Sequence, residues 1–182
     1  LINDKNNFVI TPNVSLVVSP GASNSDKISN EISTNSLYSI TNNSNLNRYT
    51  GSDKLDNSKR VNYGISSENN KIKLTLSQSY EFTENSNYHN EQGNDDKLSD
   101  LLGEAKYNNN DMIFGYNFRY DPDINVVNRQ EISLEDKTHI GKYYVNYLNE
   151  KSITNNNITN TSETFTYTYT TNKIKKFSEI QL

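Results

Sequence analysis

The residues whose types could do chemistry are few and scattered. His89 and His139 are the only histidines and the chain has no cysteine. A thiolate metal site and a disulfide frame are therefore both excluded within this segment, and neither imidazole has a partner at ligand spacing. Asp95, Asp96 and Asp100, and again Asp121 and Asp123, carry the oxygen ligands that a hard cation takes. The same residues are equally expected as turn formers in their Asn-rich surroundings. The seven glycines form no phosphate-cradling pattern. No catalytic constellation emerges, and no metal or cofactor is implied; the expectation is a protein that is not an enzyme. What remains is a set of charged residues at alternate positions within otherwise apolar stretches: Arg60, Lys73, Glu81, Lys106, Arg119, Arg129, Glu131 and Lys142.

What those charges do depends on the elements that carry them. The clearest is Met112–Tyr120, where Met112, Phe114, Tyr116, Phe118 and Tyr120 share one face of an extended strand. Ile113, Gly115, Asn117 and Arg119 take the other, because side chains alternate with period two. Nine to eleven residues is also the length with which a tilted strand crosses a bilayer. The same rhythm recurs over Phe8–Val18, Arg60–Ser66, Ile72–Phe82, Lys97–Tyr107, Val126–Glu135, His139–Leu148, Thr164–Thr170 and, more weakly, Ile174–Leu182. That gives about nine strands. Pro12 has no N–H for a ladder and points to an edge or a bulge, and Gln78 interrupts an apolar face. Alternation places Phe114, Tyr116, Phe118, Tyr143, Val145, Tyr147, Phe165, Tyr167 and Tyr169 on the apolar side, with the charged set opposite.

Composition narrows the class. Leu, Ile, Val and Phe make up 42 of 182 residues, while Asn alone accounts for 32. Such low apolar content suits a sheet with only one greasy face, and so much Asn disfavours long helices. A net charge of −4 argues against nucleic acid as a partner, which calls for a basic stripe. No run approaches the roughly 18 apolar residues of a membrane-spanning helix. The start at Leu1, without a signal-like leader, reads as an internal piece of a longer protein. Long polar loops are expected at about 20–58, 84–96 and 151–160, with short turns elsewhere. Outer-membrane barrels combine short turns at one end with long loops at the other. The fold class expected is therefore all-β: an antiparallel transmembrane β-barrel segment, with residues 1–182 forming part of a larger barrel domain. A secreted β-sandwich or adhesin module also reads as many short strands, and a porin or nutrient receptor would share the alternation.

A string of motifs favours one family. Asn47-Arg-Tyr-Thr-Gly-Ser-Asp-Lys-Leu-Asp56 followed by Arg60-Val-Asn-Tyr-Gly64 resembles the LPS-assembly outer-membrane proteins of the LptD (organic solvent tolerance) family. Pro12–Leu16, Ser19-Pro20-Gly21, Leu76–Tyr80, Asp96–Asp100 and Phe118–Asp123 resemble it in the same order, the last especially its alphaproteobacterial members. The resemblance covers most of residues 8–150. It implies one portion of a barrel of roughly two dozen strands in the outer membrane of a Gram-negative bacterium, which inserts lipopolysaccharide into the outer leaflet. It further implies a plug lipoprotein similar to LptE and a periplasmic bridge reached through an N-terminal domain. By the same resemblance, Arg48, Tyr49, Gly51 and Asp53 form a loop motif over the barrel mouth. Gly51 tolerates positive φ there, and Arg48 and Asp53 are charges able to pair. Arg119 and Lys142 are expected in the lumen, where cations can meet lipid A phosphates.

Overall fold

The computed structural model describes residues 8–19, 21, 38–49, 56–83, 97–154 and 157–171. Eight strands form one antiparallel meander: β1 (Val9–Val18), β2 (Lys59–Glu68), β3 (Ile72–Glu81), β4 (Leu101–Asn109), β5 (Met112–Asp121), β6 (Val126–Lys137), β7 (Gly141–Thr154) and β8 (Asn157–Thr171). They pair strictly in sequence order. Among the described residues, one short helix, α1 (Ile40–Asn43), lies between β1 and β2. Pro12 sits on β1, which pairs only with β2 among the described residues, so its missing N–H breaks no central ladder.

Register keeps the two faces apart. Successive antiparallel pairs align Thr75, Glu104, Asn117, Glu131 and Leu148 in one cross-strand row, and Ser77, Leu102, Arg119, Arg129 and Glu150 in the next. All eight of the charged residues named from the sequence fall on this polar face. Every aromatic residue expected opposite falls on the other, with Phe165, Tyr147, Ile132 and Tyr116 sharing a row. Gln78 is accommodated on the apolar side because its amide meets the Tyr63 hydroxyl at 2.8 Å and donates to the Ser99 carbonyl.

Burial is inverted relative to a water-soluble domain. On the apolar face Val14 is 75% exposed, Leu16 67% and Phe165 69%. The largest fully buried side chains are Arg48, Arg60, Glu81 and Asn43. Soluble monomers rarely leave contiguous apolar patches beyond a few hundred Å², so this distribution separates the sheet from an ordinary core-forming one.

The turns explain the abundance of Asn and Asp. Asn110 (φ 45°) and Asn125 (φ 57°) adopt the left-handed region, which Asn tolerates better than most residues. Asn69 Oδ1 accepts from the Lys71 and Ile72 amides, and Asp121 Oδ1 from those of Asp123 and Ile124, closing both bends with side-chain acceptors.

Two expectations change. The polar stretch 151–160 is not a long loop: β7 and β8 run on through it, paired from Lys151↔Thr161 to Thr154↔Asn157 around a register shift at Ser152/Ile153. Backbone ladders do not require apolar side chains, and the Asn- and Thr-rich segment pairs through its main chain. Residues 38–49, within the expected loop 20–58, are folded against the sheet. The expected ninth strand, Ile174–Leu182, and the loop 84–96 lie outside the described residues.

Two glycines on the polar face make opposite demands. A Cβ at Gly64 would lie 2.6 Å from the Leu76 backbone oxygen, whereas one at Gly115 would meet the Ser133 hydroxyl, which can rotate away. Gly64→Ala should therefore destabilise the folded full-length protein by about 1–3 kcal/mol. Gly115→Ala should cost less than about 1 kcal/mol, by the midpoint of denaturant unfolding in detergent micelles. Equal midpoints for the two variants would contradict this register.

Candidate functional site

Residues 38–49 form a strap across the polar face at the end of the sheet where β3 finishes and β4 begins. Its one helical turn is set by Ser39, whose side chain accepts from the Asn42 amide while Asn42 Oδ1 accepts from the Ser39 amide. This reciprocal capping box turns Asn43 toward β3, where its Nδ2 donates to Ser77 Oγ at 2.6 Å. The Tyr38 hydroxyl lies among Asn43 Oδ1 (2.9 Å), Ser79 Oγ (3.1 Å) and Ser99 Oγ (2.7 Å). Burial pushes the Tyr38 phenol above its ordinary pKa, and the hydrogen bonds to Ser79 and Ser99 oppose that shift.

A buried ionic cluster ties the other end of the strap. Arg48 makes a two-pronged contact with Asp56, Nε–Oδ2 at 2.7 Å and Nη2–Oδ1 at 3.3 Å, and its Nη2 also reaches Glu81 Oε1 at 2.5 Å. Arg60 meets Asp56 Oδ2 at 3.1 Å, places Nε 3.0 Å from Asn62 Oδ1, and donates through Nη2 to the Asn45 carbonyl. Ser58 Oγ stands 2.8 and 2.9 Å from the two Glu81 oxygens. Two guanidinium groups thus face two carboxylates, and the Ser58 hydroxyl adds a hydrogen bond to Glu81. A buried charge is tolerated only under those conditions.

A second cluster lies on β4–β6. Arg119 Nε is 2.8 Å from Asn128 Oδ1 and 3.3 Å from Asp100 Oδ2, while Asn128 Nδ2 donates to Asp100 Oδ2 at 2.7 Å. The register shift at Arg119/Tyr120 makes this possible. One extra residue on β6 brings Asn128 and Arg129 together opposite Arg119. Arg129 in turn pairs with Glu150 at 2.9 Å.

The expected site residues separate into groups. Arg48 and Tyr49 are buried in the strap, and Arg119 borders the cleft between the strap and β4–β6. Lys142 stands apart at the opposite end of the sheet, half-exposed and 2.7 Å from Glu135. Gly51 and Asp53 lie outside the described residues, and the carboxylates seen on Arg48 are Asp56 and Glu81. Asp100, weighed as a cation ligand, serves Arg119, while Asp95, Asp96 and His89 lie outside the described residues. Among the described residues no group of three or more His, Cys, Asp or Glu side chains could hold a metal ion. Tyr38, Asn43 and Ser58 were not singled out by the sequence. The Ser39-x-x-Asn42 spacing is the local signal for the helical turn beside Tyr38 and Asn43; nothing local marks Ser58.

The sequence matches the LptD family, LPS transport system D, over residues 3–177. The chain belongs to the LptD family. A search of curated proteins finds no match. The family is one of transport components. Membership agrees with the all-antiparallel sheet and with an outer-membrane location. Among the described residues, no helix is long and apolar enough to cross a membrane.

Arg48 is the residue on which the strap's attachment can be tested. Arg48→Ala removes the two-pronged contact to Asp56 and the contact to Glu81. Removing one partner of a buried pair costs about 3–5 kcal/mol. Hydrogen exchange across residues 38–49 of the full-length protein should accelerate on the order of a hundredfold or more, while exchange in β5 and β6 stays unchanged. Unaltered exchange in the strap would show that the cluster does not hold it.

Proposed function

We propose that this chain forms part of the wall of an outer-membrane β-barrel that inserts lipopolysaccharide into the outer leaflet. The observation that carries the reading is the inverted burial of the sheet. Its aromatic and aliphatic face is exposed and continuous, as a lipid-facing surface is, while Arg, Glu, Asn and Ser side chains are enclosed on the other face. In a β-sandwich a second sheet covers the apolar face; the described strands form one sheet only. Family membership favours this barrel over a porin or a nutrient receptor.

The mechanism is physical and makes or breaks no bond. The polar face, with Arg119 and Lys142 on it, accommodates the sugar and phosphate head of the lipid. Acyl chains stay in contact with hydrocarbon and leave sideways through an opening between strands, which the family resemblance puts at the first and last strands of the complete barrel. The partners under this reading are lipopolysaccharide, a plug lipoprotein similar to LptE and a periplasmic bridge joined through an N-terminal domain. The strap carrying Arg48 and Tyr49, with Gly51 and Asp53 in the same motif, then covers the mouth of the conduit.

Deletion of Asn47–Asp56 from the full-length protein removes both Arg48 and Asp56, and with them one end of the strap. Deletion of Asn87–Asn94 removes a comparably polar stretch. The first deletion should impair barrel assembly or lipopolysaccharide delivery, raising sensitivity to large hydrophobic antibiotics; the second should do much less, since loop tips tolerate change. Antibiotic sensitivity read beside the amount of folded protein in the outer membrane checks this. Equal tolerance of both deletions would contradict a role for the motif.

A further inference from the structure

Between the strap and β4–β6 lies a cleft of about 260 Å³, bordered by Tyr38, Ile40 and Thr41 on one side and by the polar face of the sheet on the other. Its floor includes Glu104, Asn117 and Glu131, which form a single cross-strand row. Adjacent strands are about 4.8 Å apart, so the row presents carboxylate, amide and carboxylate at regular steps. Asn117 is exposed, and the Glu104 and Glu131 side chains are 24% and 29% exposed.

The cations bordering this cleft are already matched. Arg119 is held by Asp100 and Asn128, and Arg129 by Glu150 at 2.9 Å. Glu131 Oε1 already accepts from Asn146 Nδ2 at 2.6 Å, leaving Oε2, which lies 3.9 Å from Arg129 Nη2, as its further acceptor, and Glu104 Oε1 is 4.0 Å from Lys73 Nζ. The groups facing the open space are thus acceptors with carboxylate character and one amide able both to donate and to accept. A phosphate placed here would meet two carboxylates of its own sign. A ligand rich in hydroxyl donors would find charge-assisted acceptors on both sides of Asn117. Ile40 and the methyl group of Thr41 add apolar surface of the kind against which the C–H face of a sugar ring packs. Pockets for drug-sized ligands run from roughly 300 to 1,000 Å³, so this cleft suits something smaller, of the size of one ring.

We propose that the cleft beneath the strap, built on the Glu104–Asn117–Glu131 row, is a subsite for an uncharged sugar ring of the lipopolysaccharide core, and not for its phosphates. The proposal rests on the reading that lipopolysaccharide passes along this face. It assigns the two arginines beside the cleft to positioning: each holds a neighbouring side chain in place, and neither contacts the ligand as an anion receptor.

The test places a photoreactive phenylalanine analogue at Asn117 in the full-length protein in cells, with the same analogue at Ser133 as a reporter of passage elsewhere on the polar face. A third variant carries it at Thr41, on the strap side of the cleft, should the bulk at Asn117 prevent folding. Each is irradiated in cells making complete lipopolysaccharide, core-truncated lipopolysaccharide, or lipopolysaccharide lacking its lipid A phosphates. The adduct from Asn117 or Thr41 should fall roughly tenfold on core truncation, the factor expected for losing one or two net hydrogen bonds. It should persist without the phosphates, and the Ser133 adduct should persist in all three backgrounds. A cleft adduct lost with the phosphates, or indifferent to core truncation, overturns the proposal. Adducts at Ser133 with none from the cleft overturn it while leaving the conduit reading intact; none at any position overturns both.

Discussion

A one-residue slip in any of the seven ladders would carry a strand's whole apolar set onto the charged face. The rest of the molecule depends on that register. It brings Arg60 and Glu81 to adjacent positions across β2 and β3, where Asp56 and Arg48 complete their charges. It also sets Glu104, Asn117 and Glu131 in one line across β4, β5 and β6. Where the register shifts, at Arg119/Tyr120, the extra residue on β6 supplies the amide that joins Arg119 to Asp100. Bulges of this kind re-aim side chains without ending a sheet.

Where β3 finishes and β4 begins, the polar face is covered by its own chain. With few apolar side chains there to bury, the strap is held by hydrogen bonds and ion pairs, among them the buried Arg48–Asp56–Arg60–Glu81 cluster. Such contacts add little stability over an apolar equivalent, but they are costly to break one at a time. They therefore fix the strap's position more than they deepen the fold. Tyr38, Tyr49 and Leu102 are among the few hydrophobic side chains buried among the described residues, and the Tyr38 hydroxyl lies within hydrogen-bond distance of three polar neighbours.

Much of this was legible in the chain. Period-two alternation located all eight described strands and assigned Phe114, Arg119, Lys142 and Phe165 to their faces, because a strand leaves a side chain only two directions. The limits were set where side-chain pattern and backbone pairing part company. Lys151–Asn160 reads as a loop from its Asn and Thr content, yet its main chain continues the β7–β8 ladder. The strap was legible as a motif with Arg48 in it, but its partners were not. Asp56 lies eight residues along the chain from Arg48 and Glu81 thirty-three, and only the β2–β3 register brings Glu81 near. Asn128 was hidden for the same reason: nothing local marks the bulge that turns it inward.

The central claim, that one face of this sheet meets lipid and the other meets water, is tested most directly by spin labels placed one at a time along β5 of the full-length protein in bilayers. The quantity read is the ratio of collision rates with oxygen, which concentrates in hydrocarbon, and with a water-soluble relaxant. The account predicts a period of two: labels at Phe114, Tyr116 and Phe118 favour oxygen, and labels at Ile113, Gly115 and Asn117 favour the water-soluble agent. A profile without alternation, or with the two sets exchanged, would contradict it.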